Sequence, residues 1–152
     1  MVNLKQLTDV AKQGAELNCV NQELLPVLLL DTPIGIQAIG VTSPDLNDLE
    51  AEKQTIVETI TQILKKWKAT QYVHVHEGYA TTFVESAERV NYQIRELPPE
   101  DRYDVAVVTA VKKGKPAIGF TAIIDSSNDG TRKIREWEES VAVDGRFVIT
   151  DW

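Results

Sequence analysis

The sequence predicts an α+β domain: an antiparallel or mixed β-sheet of about five to seven strands, a long helix packed on one face, and a shorter N-terminal helix. Three observations carry this. The first is an amphipathic segment over about residues 44–69. The second is the strand-like alternation of Tyr72-Val-His-Val-His76 and the apolar runs Tyr103–Val111 and Ala117–Ile124. The third is the turn chemistry between such runs, above all Asp144-Gly145 between Val141, Val143 and Phe147, Ile149. No Gly/Ser-rich linker or repeat interrupts the 152 residues, so one domain over 1–152 is expected.

Taken in order, Leu4, Leu7, Val10, Ala11, Ala15 and Leu17 form a helical stripe over about residues 3–17, weakened by Gly14. From Leu24 to Val41 a hairpin is expected: an apolar strand, an Asp31-Thr-Pro33 turn, and a second strand carrying Ile34, Ile36, Ile39 and Val41. Gly35 and Gly40 mark bends or close backbone approach there.

Ser43 caps the long helix and Pro44 suits its first position. Leu46, Leu49, Ile56, Val57, Ile60, Ile63, Leu64 and Trp67 recur at helical spacing. Glu50, Glu52, Lys53, Glu58 and Lys66 are read as lying off that stripe. Asp45 and Asp48 at one end, and Lys65, Lys66 and Lys68 at the other, match the helix dipole.

Gly78 to Leu97 has mixed spacing and is read as a short helix or irregular excursion followed by a brief strand. Pro98-Pro99 ends it. Tyr103–Val111 is apolar on both faces, as a central strand is. Lys113-Gly114 supplies a turn, and Ala117–Ile124 returns beside it.

Composition narrows the function classes. At 43% hydrophobic and 26% charged residues the chain is that of a globular protein. Its net charge of −7 opposes binding to a phosphate backbone, and its basic residues fall in short groups, so no nucleic-acid partner is expected. The most apolar stretch, Leu24–Leu30, is far shorter than the roughly 20 residues that cross a bilayer, so no membrane partner is expected either. The start MVNLKQLTDVAKQG lacks the form of a secretory signal. Cys19 is the only cysteine, which excludes an intrachain disulfide and suits a reducing cytoplasm. The motifs of P-loop, dinucleotide-binding, serine-hydrolase and zinc-ribbon proteins are missing, and no cofactor is called for.

His74 and His76 are the candidate metal ligands. Side chains two apart on a strand share a face, so two imidazoles there can hold one zinc or iron ion. Glu77 completes the candidate set if the strand bends at Gly78. A cupin begins with a similar His-x-His. Its downstream glutamate has no counterpart at matching distance, the next after Glu77 being Glu85.

Asp125, Ser127, Asp129, Thr131 and Glu136, with Gly130 at the sixth place, resemble the calcium loop of an EF-hand. The eighth and ninth places hold Arg132 and Lys133, and the segment before the loop reads as a strand, so a polar turn through Asn128-Asp-Gly130 is expected. Cys19 has neither a histidine nor a helix start beside it in sequence, and packing is its expected role.

No catalytic constellation emerges. The sequence therefore points to a binding or regulatory domain acting through protein contacts, with a protein partner or a second copy of itself. The alternative is a metal-dependent enzyme centred on His74 and His76. A third reading is a small-ligand pocket under the long helix, with Tyr72, Tyr79 or Tyr92 as polar contacts.

Overall fold

The structure, a computed structural model, describes residues 2–41, 49–80, 103–140 and 148–152. Two helices and an antiparallel sheet of seven strands make up the described part, in the order α1 (Leu4–Asn18), β1 (Val27–Thr32), β2 (Gly35–Gly40), α2 (Leu49–Lys66), β3 (Gln71–Ala80), β4 (Tyr103–Lys112), β5 (Ile118–Ser126), β6 (Arg132–Ile134) and β7 (Glu138–Ser140). The α+β expectation holds. The expected helix start at Ser43, the segment from Thr81 to Arg102 and the Asp144-Gly145 turn lie outside the described residues; Ile149, expected on the strand after that turn, lies in no strand, while β6 and β7 were not expected.

The sheet runs β2-β1-β3-β4-β5-β6, with β7 also on β5. β1 and β2 form the expected hairpin, its turn at Pro33-Ile34. Gly35 there has φ of 109°, a conformation that costs a side-chain-bearing residue dearly. Thr32 Oγ1 donates to Gly35 O at 2.7 Å and closes the turn. β4 is central, as its two apolar faces require: it pairs with β3 along ten positions and with β5 along six, Val105↔Ile123 to Ala110↔Ile118. Gly78 to Ala80 continue β3 rather than starting an excursion, because they pair with Val105, Asp104 and Tyr103.

β6 and β7 are two pieces of one interrupted strand. Ile124 faces Ile134, and Thr121 faces Glu138. Two residues of β5 thus lie opposite three, Arg135 to Trp137, which is a β-bulge. Arg135 N still donates to Ile123 O at 2.8 Å within it.

Alternate residues of each strand serve opposite faces, and each face carries its own helix. Leu7, Ala11 and Ala15 of α1 pack on Val73, Val75, Ala106, Val108, Ala110, Ala122 and Ile124. Ile56, Ile60 and Leu64 of α2 pack on Leu28, Leu30, Tyr72 and Val111. The amphipathic segment ending near Trp67 therefore covers a sheet face as expected, although its helix closes at Lys66. Ala69 N donates to Leu64 O (3.0 Å) and Lys68 N to Lys65 O (3.2 Å), a Schellman closure with Lys68 at φ of 54°.

One residue of α2 departs from the pattern. Glu52 is 2% exposed, in line with Ile56 and Ile60 at four-residue spacing. Its charge suggested an outward face; its spacing puts it on the buried stripe.

At the start of the chain Asn3 accepts from Gln6 N at 2.8 Å, while Gln6 Oε1 accepts from Asn3 N at 2.9 Å, a reciprocal cap on α1. Val10 and Leu17, counted in its apolar stripe, are instead exposed. No described helix is long and apolar enough to cross a membrane.

Candidate functional site

His74 and His76 do share a face, the one under α2, with ring centroids 5.1 Å apart. His74 is completely buried, between Leu28 of β1 and Thr109 of β4 in register. Burial holds its pKa well below the usual imidazole value, and the neighbouring His76 adds to the effect. His74 is thus neutral at physiological pH, the form that can ligate a metal. His76 is half-buried, and its Nδ1 lies 3.2 Å from Glu77 O.

Glu77 does not join them. It points to the α1 face, where its carboxylate is ion-paired with the Arg132 guanidinium and accepts from Leu24 N at 3.3 Å. Arg132 also donates to Gln22 O (2.7 Å) from its side chain and to Val20 O (2.9 Å) from its backbone. The pair reaches across two intervening strands. In register, Glu77 is followed by Ala106 and then by Ala122, both buried alanines. Arg132 itself stands opposite Ser126 rather than opposite Ala122. Among the described residues no group of three His, Cys, Asp or Glu is arranged to hold a metal ion.

Cys19 is buried beside this ion pair and ends α1, its backbone N–H donating to Ala15 O at 3.0 Å. Burial raises its thiol pKa, partly countered by Arg132. That is the environment of a packing thiol rather than of an activated one.

The calcium-like loop closes on itself. Asp129 accepts from Thr131 N at 3.0 Å, from Thr131 Oγ1 at 2.6 Å, and from Ser127 Oγ. Those bonds pull its pKa down to about 2. Asp125 is turned away and held by Arg135 at 2.5 and 2.8 Å. Gly130 sits at φ of 86°, as the turn requires. The segment is a polar turn joining β5 to β6.

Tyr72 is not open to a ligand: its hydroxyl is bonded to the backbone of Ile149. Tyr92 and the Tyr79 side chain lie outside the described residues.

Known proteins add nothing to this geometry. No family model, curated protein or solved structure matches the chain.

The surface feature that the sequence did not announce is a groove between α1 and the β1–β2 hairpin. Its volume is about 430 Å³. Leu29, Val27, Val75 and Ala38 form its floor, and Val10, Gly14 and Leu25 its walls. It exists because α1 lies over β3 and β4 and reaches only the near side of β1. Leu25 is 74% exposed and Val10 48%, both beside apolar neighbours. Leu25 and Val10 are aliphatic side chains at exposed positions, whereas Leu24 beside them is buried in the core.

Proposed function

We propose that this chain is an intracellular binding domain that works through protein contacts, holding an apolar segment of its partner in the groove between α1 and the β1–β2 hairpin. The groove is the observation that carries the reading. Scattered apolar residues on a surface need no explanation, but a mainly apolar concavity with exposed aliphatic walls and a polar end at Asn18, Gln22 and Glu23 is what a partner covers. Its size suits a few aliphatic side chains, as in the seating of an amphipathic helix or a strand.

Gly14 gives the test. A Cβ built there meets nothing within 4 Å and Gly14 lines the groove, so a larger residue can start into it without a clash at the backbone. Gly14→Leu is expected to keep the fold and abolish capture of partners that the wild-type chain recovers by crosslinking in its host. Equal recovery by both proteins removes the groove from the function.

A second reading, a metal-dependent enzyme at His74 and His76, is favoured by one observation: two close imidazoles on one face, the inner one neutral. Glu77 being engaged elsewhere, its third ligand would be another residue. Elemental analysis of untagged protein tests it; absence of stoichiometric metal removes it.

A further inference from the structure

The two edges of the sheet are built on opposite principles. At the β6–β7 edge the strands are three residues each and are separated by a bulge. Arg132, Lys133, Arg135, Glu136, Glu138 and Glu139 crowd that edge with charge. Short strands, bulges and charged side chains are the means by which a sheet refuses further strands.

The β2 edge has none of them. β2 is six residues long and regular, Gly-Ile-Gln-Ala-Ile-Gly, and among the described residues it pairs only with β1. No residue from Thr32 to Pro44 ionises, although 26% of the chain is charged. Ile36 is 39% exposed, and Ala38 is exposed beside it on the same face. An edge of this kind is a template for another strand.

We infer that β2 pairs antiparallel with β2 of a second copy about a two-fold axis perpendicular to the sheet, joining two sheets into one. This rests on the reading that the chain acts through protein contacts and names one such partner. Charge selects the partner. Two molecules that each carry −7 repel unless they meet where neither is charged. In an isologous contact every residue near the axis also faces its own twin or a close neighbour, so a single ionisable residue there would oppose itself. β2 meets both conditions. With the axis near Ala38, Ala38 faces its twin and Ile36 faces Gly40 of the other copy, so the α1 face of β2 extends the groove floor from one copy to the other.

Sedimentation of the full-length chain over the micromolar range tests this. The wild type is expected to be dimeric. Ala38→Lys and Ala38→Glu, at an exposed position of the groove floor outside the buried core, are each expected to weaken the dimer at least tenfold, and an equimolar mixture of the two is expected to restore it. A second readout needs no substitution: hydrogen exchange at Ile36–Gly40 should slow as wild-type concentration rises. A monomeric wild type with concentration-independent exchange overturns the inference. So does a dimer indifferent to both substitutions. A dimer lost in each variant but not restored by mixing shows that β2 meets some other surface, and overturns the two-fold pairing. Failure here leaves the groove reading standing, since Gly14→Leu changes only the α1 wall of the groove and is read by partner capture, not by dimerisation.

Discussion

The Tyr72 hydroxyl makes two hydrogen bonds to one residue: it accepts from Ile149 N at 2.9 Å and donates to Ile149 O at 3.3 Å. Both residues are buried. The bonds dock the last residues of the chain on the sheet, where Trp152 meets the Tyr72 ring edge-on at 5.6 Å and donates to Ala69 O at 2.7 Å. Tyr72→Phe keeps the ring and strands a buried N–H and C=O. It is expected to cost roughly 1–3 kcal/mol in urea unfolding.

The same contact predicts an alkaline limit. Burial pushes the Tyr72 pKa up to about 12, from 10.0 in an open chain. Between those values the unfolded chain has lost the proton and the folded one keeps it, so stability is full below pH 10 and falls as pH rises. The slope from this group is about 1.4 kcal/mol per pH unit. Tyr72→Phe should remove that part of the slope; an unchanged profile between pH 10 and 12 would refute it.

His74 predicts an acid limit of the opposite sign. Its folded pKa is well below 6.5, chiefly through burial. Below pH 6.5 the unfolded chain binds a proton that the folded one refuses, so this contribution to stability is present above 6.5 and lost as pH falls. The His74 ring resonances should stay at their neutral positions as pH falls through 6.5, and His74→Leu should flatten the stability profile below 6.5. Ring signals that titrate near 6.5 would contradict the burial.

Glu77 and Arg132 predict a coupling. Removing either charge leaves the other nearly buried, so Glu77→Ala should destabilise by about 3 kcal/mol, and the double variant by much less than the sum of the two single changes. Ala106→Leu should also destabilise, by about 1–3 kcal/mol, because it overpacks a fully buried position of the α1-face core. Additive costs in a double-mutant cycle would show that the pair contributes nothing.

Lys68 closes α2 at φ of 54°, where a side chain costs roughly 1 kcal/mol. Lys68→Gly is expected to stabilise the protein by about that amount, read as a rise in melting temperature. A fall would mean that the cation's interaction with the helix end outweighs the strain.

The elements were legible because their signals are local. Period-two alternation at Tyr72–His76, the apolar run Tyr103–Val111 and the lysines after Leu64 each specify their own segment. The polar turn at Asn128-Asp-Gly130 was legible for the same reason, its bonds all running within five residues. Of the candidate site, the shared face of His74 and His76 followed from strand geometry. The engagement of Glu77 did not, because its partner lies 55 residues away.

By itself, then, the sequence determined the kinds of element up to β5, the bounds of α1 and β4 to within a residue, and which side chains share a strand face, since backbone periodicity does that within a few residues; β6 and β7, three residues each, went unannounced. Only the tertiary structure decided which helix covers which face, that Glu52 goes inside, that Glu77 meets Arg132, and that, among the described residues, one sheet edge is bulged and charged while the other pairs with β1 alone. Those outcomes depend on register and layer packing between distant segments, and no short stretch of chain encodes them alone.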